Sequence, residues 1–137
     1  MSYRTILAPL KMEEVDELVV EQAAYVARLC GASLTLLVVD HIHTRDAGAY
    51  LGERSRAYLA EKKAYVVEQG VVAETLVLEG EPEEQILRAV DDIRADLVVM
   101  GSHGHGHMHH LLLGSVTEAV LREGEVPVLL VKARKGG

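Results

Sequence analysis

Tryptophan and phenylalanine are missing from this sequence of 137 residues, and cysteine occurs once. A core without them must be filled by Val, Leu, Ile, Ala and the five tyrosines. Scarce aromatics also leave few platforms for stacked bases, which argues against single-stranded nucleic acid. Cys30 has no second cysteine to pair with and sits in an apolar helical stripe, so it reads as a packing residue. No apolar run approaches the ~20 residues of a membrane-spanning helix. Residues Met1 to Leu10 read as a strand and not as a signal peptide, so the expected compartment is the cytoplasm. Basic residues are outnumbered, 14 against 21, giving a net charge of −7 with histidine neutral. Polyanions and anionic membranes attract basic surfaces, so both are poor partners here. A small anion held by a local cluster of donors is still compatible.

What is present is an alternation of short apolar runs and helical patterns. Strands are expected at Tyr3 to Ala8 (ended by Pro9), Leu34 to Val39, Val71 to Leu78, Asp96 to Met100 and Val126 to Val131. Between the first two, Val15, Leu18, Val19, Ala23, Val26, Leu29 and Cys30 keep helical spacing until Gly31. A polar stretch from Asp40 to Gly52 precedes a helix over Glu53 to Gln69. Pro82, followed by Glu83 and Glu84, opens a third helix with the stripe Ile86, Leu87, Val90 and Ile93; Ser115 starts a fourth. Strict alternation leaves no room for hairpins. The expected class is α/β: one domain over 1–137, three-layered and Rossmann-like, a doubly wound parallel sheet of five strands in the order 3-2-1-4-5. Ligands of such sheets sit beyond the carboxyl ends of the strands where the order reverses.

One segment after the fourth strand carries the chemistry. It reads Gly101-Ser102-His103-Gly104-His105-Gly106-His107, then Met108-His109-His110, and resumes at Gly114-Ser115-Val116-Thr117. Glycines permit positive φ and close backbone approach, so successive N–H groups can face an anion. The helix starting at Ser115 adds unpaired N–H groups and a positive dipole end. A Walker loop is excluded, since no glycine precedes Lys followed by Ser or Thr; the dinucleotide fingerprint fails because His109 stands where its third glycine belongs.

Gly101-x2-Gly104-x9-Gly114-Ser115, with Val98-Val99-Met100 before it and Val116-Thr117-Glu118 after, resembles the nucleotide-binding signature of the universal stress protein family. Ile6-Leu7-Ala8-Pro9, Leu36 to Asp40 and Val126-Pro127-Val128-Leu129-Leu130-Val131 extend the likeness over nearly the whole chain. The resemblance implies an adenine nucleotide α-hydrolase-like fold, usually homodimeric, that binds ATP, with Mg²⁺ on its oxygens, and serves stress tolerance. Carried over by position, the adenosine contacts are Ala8, Pro9, Leu10 and Lys11 after the first strand, with Val38 and Asp40 at the end of the second. The phosphate contacts are Met100, Gly101, His103, Gly104 and His105 on one side and Gly114, Ser115, Val116 and Thr117 on the other. Lys11 stands where many ATP-binding members have Asp, and an ammonium cannot accept hydrogen bonds. His105 and His109 replace residues that are often Lys or Arg in relatives, so the charge of the loop depends on pH.

Plainer readings stand beside these. Ser115 with Glu118 matches a capping box. Glu13, Glu14, Asp16 and Glu17 read as dipole complements on a solvated face. The histidine cluster with His41 and His43 raises a Zn or Ni site, against which stands the lack of any cysteine or orienting carboxylate in the segment; no metal centre is expected. The other functional readings are a slow ATP hydrolase and a nucleotide-independent interaction protein. For the latter, the apolar last strand over 126–131, at the sheet edge, predicts a homodimer.

Overall fold

The computed structural model describes residues 2–41, 45–102 and 114–132, without the side chains of 45–51. Nine elements alternate along the chain: β1 (Thr5–Leu10), α1 (Val15–Cys30), β2 (Ser33–Asp40), α2 (Arg45–Glu68), β3 (Ala73–Glu79), α3 (Pro82–Ile93), β4 (Leu97–Gly101), α4 (Ser115–Glu123) and β5 (Val128–Val131). All strand pairs are parallel, in the order β3-β2-β1-β4-β5. The fold is thus the doubly wound α/β sheet that the alternation predicts. No described helix is long and apolar enough to cross a membrane.

Side chains alternate across a strand, so each central strand feeds two cores. Ile6, Ala8, Leu10, Leu34, Leu36, Val38, Leu97 and Val99 pack with α1 and α2. Leu7, Leu37, Val98 and Met100 face the other way, against Ile86, Ala89 and Val90 of α3 and Val120 of α4. Both cores are aliphatic. Among the described side chains no tyrosine is fully buried: Tyr3 and Tyr58 only flank the core, and Tyr25 and Tyr65 are exposed.

Several boundaries differ from the sequence expectation. Pro9 does not end the first strand; β1 runs through it to Leu10. Pairing with β4 has stopped two residues earlier, at Leu7, so the missing N–H breaks no rung on that side. Helix α2 begins at Arg45, inside the stretch expected to be a polar lead-in. The buried face of α1 is Val19, Val20, Ala23, Ala24 and Ala27, while Leu29 of the expected stripe is 67% exposed. Small alanines bring α1 close to the sheet, and that displaces the larger stripe to its rim. The last strand is Val128–Val131, shorter than 126–131 because Pro127 cannot join a ladder as donor.

Strand β5 is an edge. Its carbonyls at Pro127 and Val131 accept the N–H groups of Val98 (2.9 Å) and Ser102 (2.7 Å). Alternate residues of a parallel strand face opposite neighbours, so Val128 and Leu130 turn their N–H and C=O groups to the open side.

Candidate functional site at the carboxyl edge

The strand order reverses between β1 and β4, and there the sheet parts. Their register ends at Leu7 opposite Val98. Beyond it Ala8, Pro9 and Leu10 stay with Leu36, Leu37 and Val38 of β2, while Val99, Met100 and Gly101 stay with Leu129, Leu130 and Val131 of β5. The parted ends make a crevice of the kind that holds ligands in open α/β sheets.

On the adenosine side, Leu10 faces Val38 across the last β1–β2 rung, so two expected contacts lie together. Ala8, Leu10 and Val38 are buried in the α1–α2 core and Met100 in the opposite one. Their side chains are therefore committed to packing. The Lys11 amide is already bonded to the Asp16 carboxylate, at 3.0 and 3.1 Å. Asp40 is 6% exposed; its Oδ1 accepts the Ser55 hydroxyl at 2.6 Å, whereas its buried Oδ2 has no partner among the described residues.

On the phosphate side, α4 starts with Gly114 as N-cap in extended conformation (φ −69°, ψ 164°). Glu118 N–H donates to the Gly114 carbonyl at 3.0 Å. That excludes the expected capping box, in which the Ser115 hydroxyl would take this same N–H. Ser115 is the first helical residue and is exposed; Val116 is half-buried and Thr117 buried. The N–H groups of Ser115, Val116 and Thr117 belong to the first turn, which has no intrahelical acceptors. They leave the positive end of α4 facing the carboxyl edge.

The glycines act differently from the expectation of positive φ. Gly101 and Gly114 both have ordinary backbone; positive φ occurs, among described glycines, at Gly31, Gly70 and Gly80. A Cβ on Gly101 would lie 2.9 Å from Val15 Cγ2 and 3.1 Å from Val19 Cγ2. Close packing of α1 on β4 therefore accounts for this glycine. The amide that follows it, on Ser102, is bonded to Val131 and is not available to an anion. His103, Gly104 and His105, together with the rest of the histidine segment and His43, lie outside the described residues. His41 Nε2 lies 3.1 Å from Glu81 Oε1.

Sequence reasoning missed Asp16. It is not on a solvated face: it is 1% exposed and accepts from the main chain of Lys11, Met12 and Glu13 and from the Tyr58 hydroxyl. Its neighbours Glu13, Glu14 and Glu17 hid it in an acidic run. The only signal was its place in the first turn of a helix after a strand, where a carboxylate can fold back on preceding amides.

A parallel doubly wound protein with its sheet parted at the switch point and a helix start at the same edge is a nucleotide-site architecture shared by many families. The profile of the universal stress protein family matches residues 2–132. This chain belongs to that family. Universal stress protein MJ0577 of Methanocaldococcus jannaschii is 33% identical over 84 residues, which are 61% of this chain and 52% of that protein. The chain thus spans about half the length of the relatives it matches by sequence. The solved structure of MJ0577 superposes with a TM-score of 0.88 at 26% identity, over 99% of this chain and 100% of the other. Two further structures share the fold: a universal stress protein in complex with cAMP (TM-score 0.74, 24% identity, 96% of this chain and 98% of the other) and one from Archaeoglobus fulgidus in complex with dAMP (0.71, 24%, 96% and 100%).

Proposed function

We propose that this chain binds an adenine nucleotide, ATP by preference, and acts as a regulatory stress-response module and not as a dedicated catalyst. The carrying observation is the coincidence of the parted β1 and β4 ends with the first turn of α4, whose N–H groups have no intrahelical acceptors. The adenosine lies against the ends of β1 and β2, where Leu10 meets Val38. The phosphates take the amides of Ser115, Val116 and Thr117, with Gly101, His103, Gly104 and His105 closing the other side. Fold neighbours in complex with cAMP and dAMP support the adenosine-phosphate class.

The donor set fits such a ligand: free amides suit phosphate, and the unpartnered Asp40 Oδ2 suits a hydroxyl or amine hydrogen. Mg²⁺ would ride on the phosphate oxygens, because Asp16 is saturated with protein donors. The protein's own contribution is orientation and charge neutralisation by fixed dipoles.

We also propose that two copies pair through β5, whose outward groups at Val128 and Leu130 flank Leu129, 36% exposed. Calorimetric titration with ATP, cAMP and dAMP, with and without Mg²⁺, tests the ligand reading. Saturable binding of ATP with the tightest affinity is expected. Absence of binding by all three at millimolar concentration overturns it.

A further inference from the structure

A hollow of about 830 Å³ lies at the opposite edge of the sheet from the candidate site. Tyr3 and Pro127 contribute to its apolar lining, and Asp91, Arg94, Asp96 and Glu125 are its charged members. Asp96 is engaged by the amides of Arg4 (2.9 Å) and Thr5 (3.1 Å). Asp91 and Glu125 are exposed, and no ion pair within 4.0 Å engages either of them or Arg94 among the described residues. The rim is therefore net acidic, and Glu125 and Asp91 have no ion-pair partner among the described residues.

We propose that the basic segment Lys132 to Lys135 of a second copy occupies this hollow. The inference rests on the β5 dimer proposed above. A closed two-fold across edge strands whose sheets continue into one another runs them antiparallel. Opposed residues in an antiparallel ladder must both face the shared side or both face away. Only Val128 and Leu130 face outward, so the register that uses both sets Val128 against the partner's Leu130. Leu129 then stands beside its own copy on the axis.

In that register the partner's Lys132 falls opposite Val126, and the chain continues past Glu125 at the amino edge. Strands are ~4.8 Å apart, so the start of β4 lies ~10 Å from the partner strand and the start of β1 ~15 Å. The five residues after Lys132 span ~16 Å when extended. That is long enough to reach the hollow. Three of the four residues from Lys132 to Lys135 are basic, in a chain of net charge −7. Cations of one copy thus meet the unmatched carboxylates of Glu125 and Asp91 of the other, twice per dimer.

Sedimentation equilibrium of the full chain tests this at about 0.05 M and about 1 M salt, where screening lengths differ severalfold. Glu125→Lys and Arg134→Glu should each weaken the dimer about threefold to tenfold at low salt, as expected for two solvent-facing ion pairs. The combined Glu125→Lys/Arg134→Glu chain should recover most of the loss, and high salt should erase the differences. Leu130→Pro, which deletes an outward N–H, probes the β5 dimer separately and should yield folded monomers. Charge variants that dimerise like the wild type while Leu130→Pro dissociates overturn the tail contact alone. A wild-type monomer at micromolar concentration, or a dimer indifferent to Leu130→Pro, overturns the β5 dimer and the tail contact with it.

Discussion

The phenolic hydroxyl of Tyr58 donates to Asp16 Oδ2 at 2.5 Å, joining α2 to the start of α1. The same carboxylate receives Met12 N–H at 2.7 Å and Lys11 N–H at 3.0 Å. One buried side chain thereby fixes the β1–α1 turn that borders the proposed adenosine site.

Replacing Asp16 leaves several part-buried donors unmatched, so Asp16→Ala should cost about 2–4 kcal/mol in denaturant unfolding. Tyr58→Phe removes one charge-assisted bond and should cost about 1–3 kcal/mol. Burial, and then the Asp16 carboxylate, push the Tyr58 hydroxyl well above the usual tyrosine range. The folded state therefore holds this proton where the unfolded chain releases it. Stability from this group is complete below the ordinary tyrosine value, ~10, and declines as pH rises past it. Wild type should lose stability above that pH more steeply than Tyr58→Phe; parallel curves would contradict the account.

Gly101 is constrained by α1. A methyl group there meets Val15 at 2.9 Å, so Gly101→Ala should destabilise by about 1–3 kcal/mol. Adding Val15→Ala should recover part of that loss in a double-mutant cycle. Strict additivity would show that the two sites do not touch.

Asp40 and Ser55 form a buried pair. Ser55→Ala removes the one hydrogen-bond partner of the carboxylate among the described residues and should cost about 1–3 kcal/mol. The double variant Asp40→Ala/Ser55→Ala should be less destabilised than the sum of the single changes, because no buried charge is left unpaired. Chemical denaturation of the four proteins gives the coupling.

Strand alternation, the Gly31 stop, Pro82 at the first turn of α3 and the start of α4 at Ser115 were all legible in the sequence, since each is set by local chain geometry. Connectivity pointed to a parallel sheet but did not by itself choose the strand order, since doubly wound sheets have more than one common order. What could not be read was tertiary. The passage of β1 through Pro9 depends on where β4 stops pairing, and the demand for glycine at 101 depends on how deeply Val15 and Val19 reach. Asp16 was obscured because three exposed carboxylates beside it share its residue type but not its neighbours. For the site, the structure brings Leu10 beside Val38 and starts α4 at Ser115, whereas Ser115 is not the cap that its spacing with Glu118 suggests.

The central claim is that main-chain amides at the start of α4 hold a nucleotide phosphate. Ser115 is the first helical residue, and Gly114 before it has the extended conformation that a following proline requires. Ser115→Pro therefore deletes one N–H with the helix retained, while Ser115→Ala deletes only the hydroxyl. Calorimetric ATP titration of both, with circular dichroism confirming the fold, separates the two groups. The prediction is an affinity loss of about tenfold or more for Ser115→Pro and less than about threefold for Ser115→Ala. Equal ATP affinity in wild type and Ser115→Pro would contradict it.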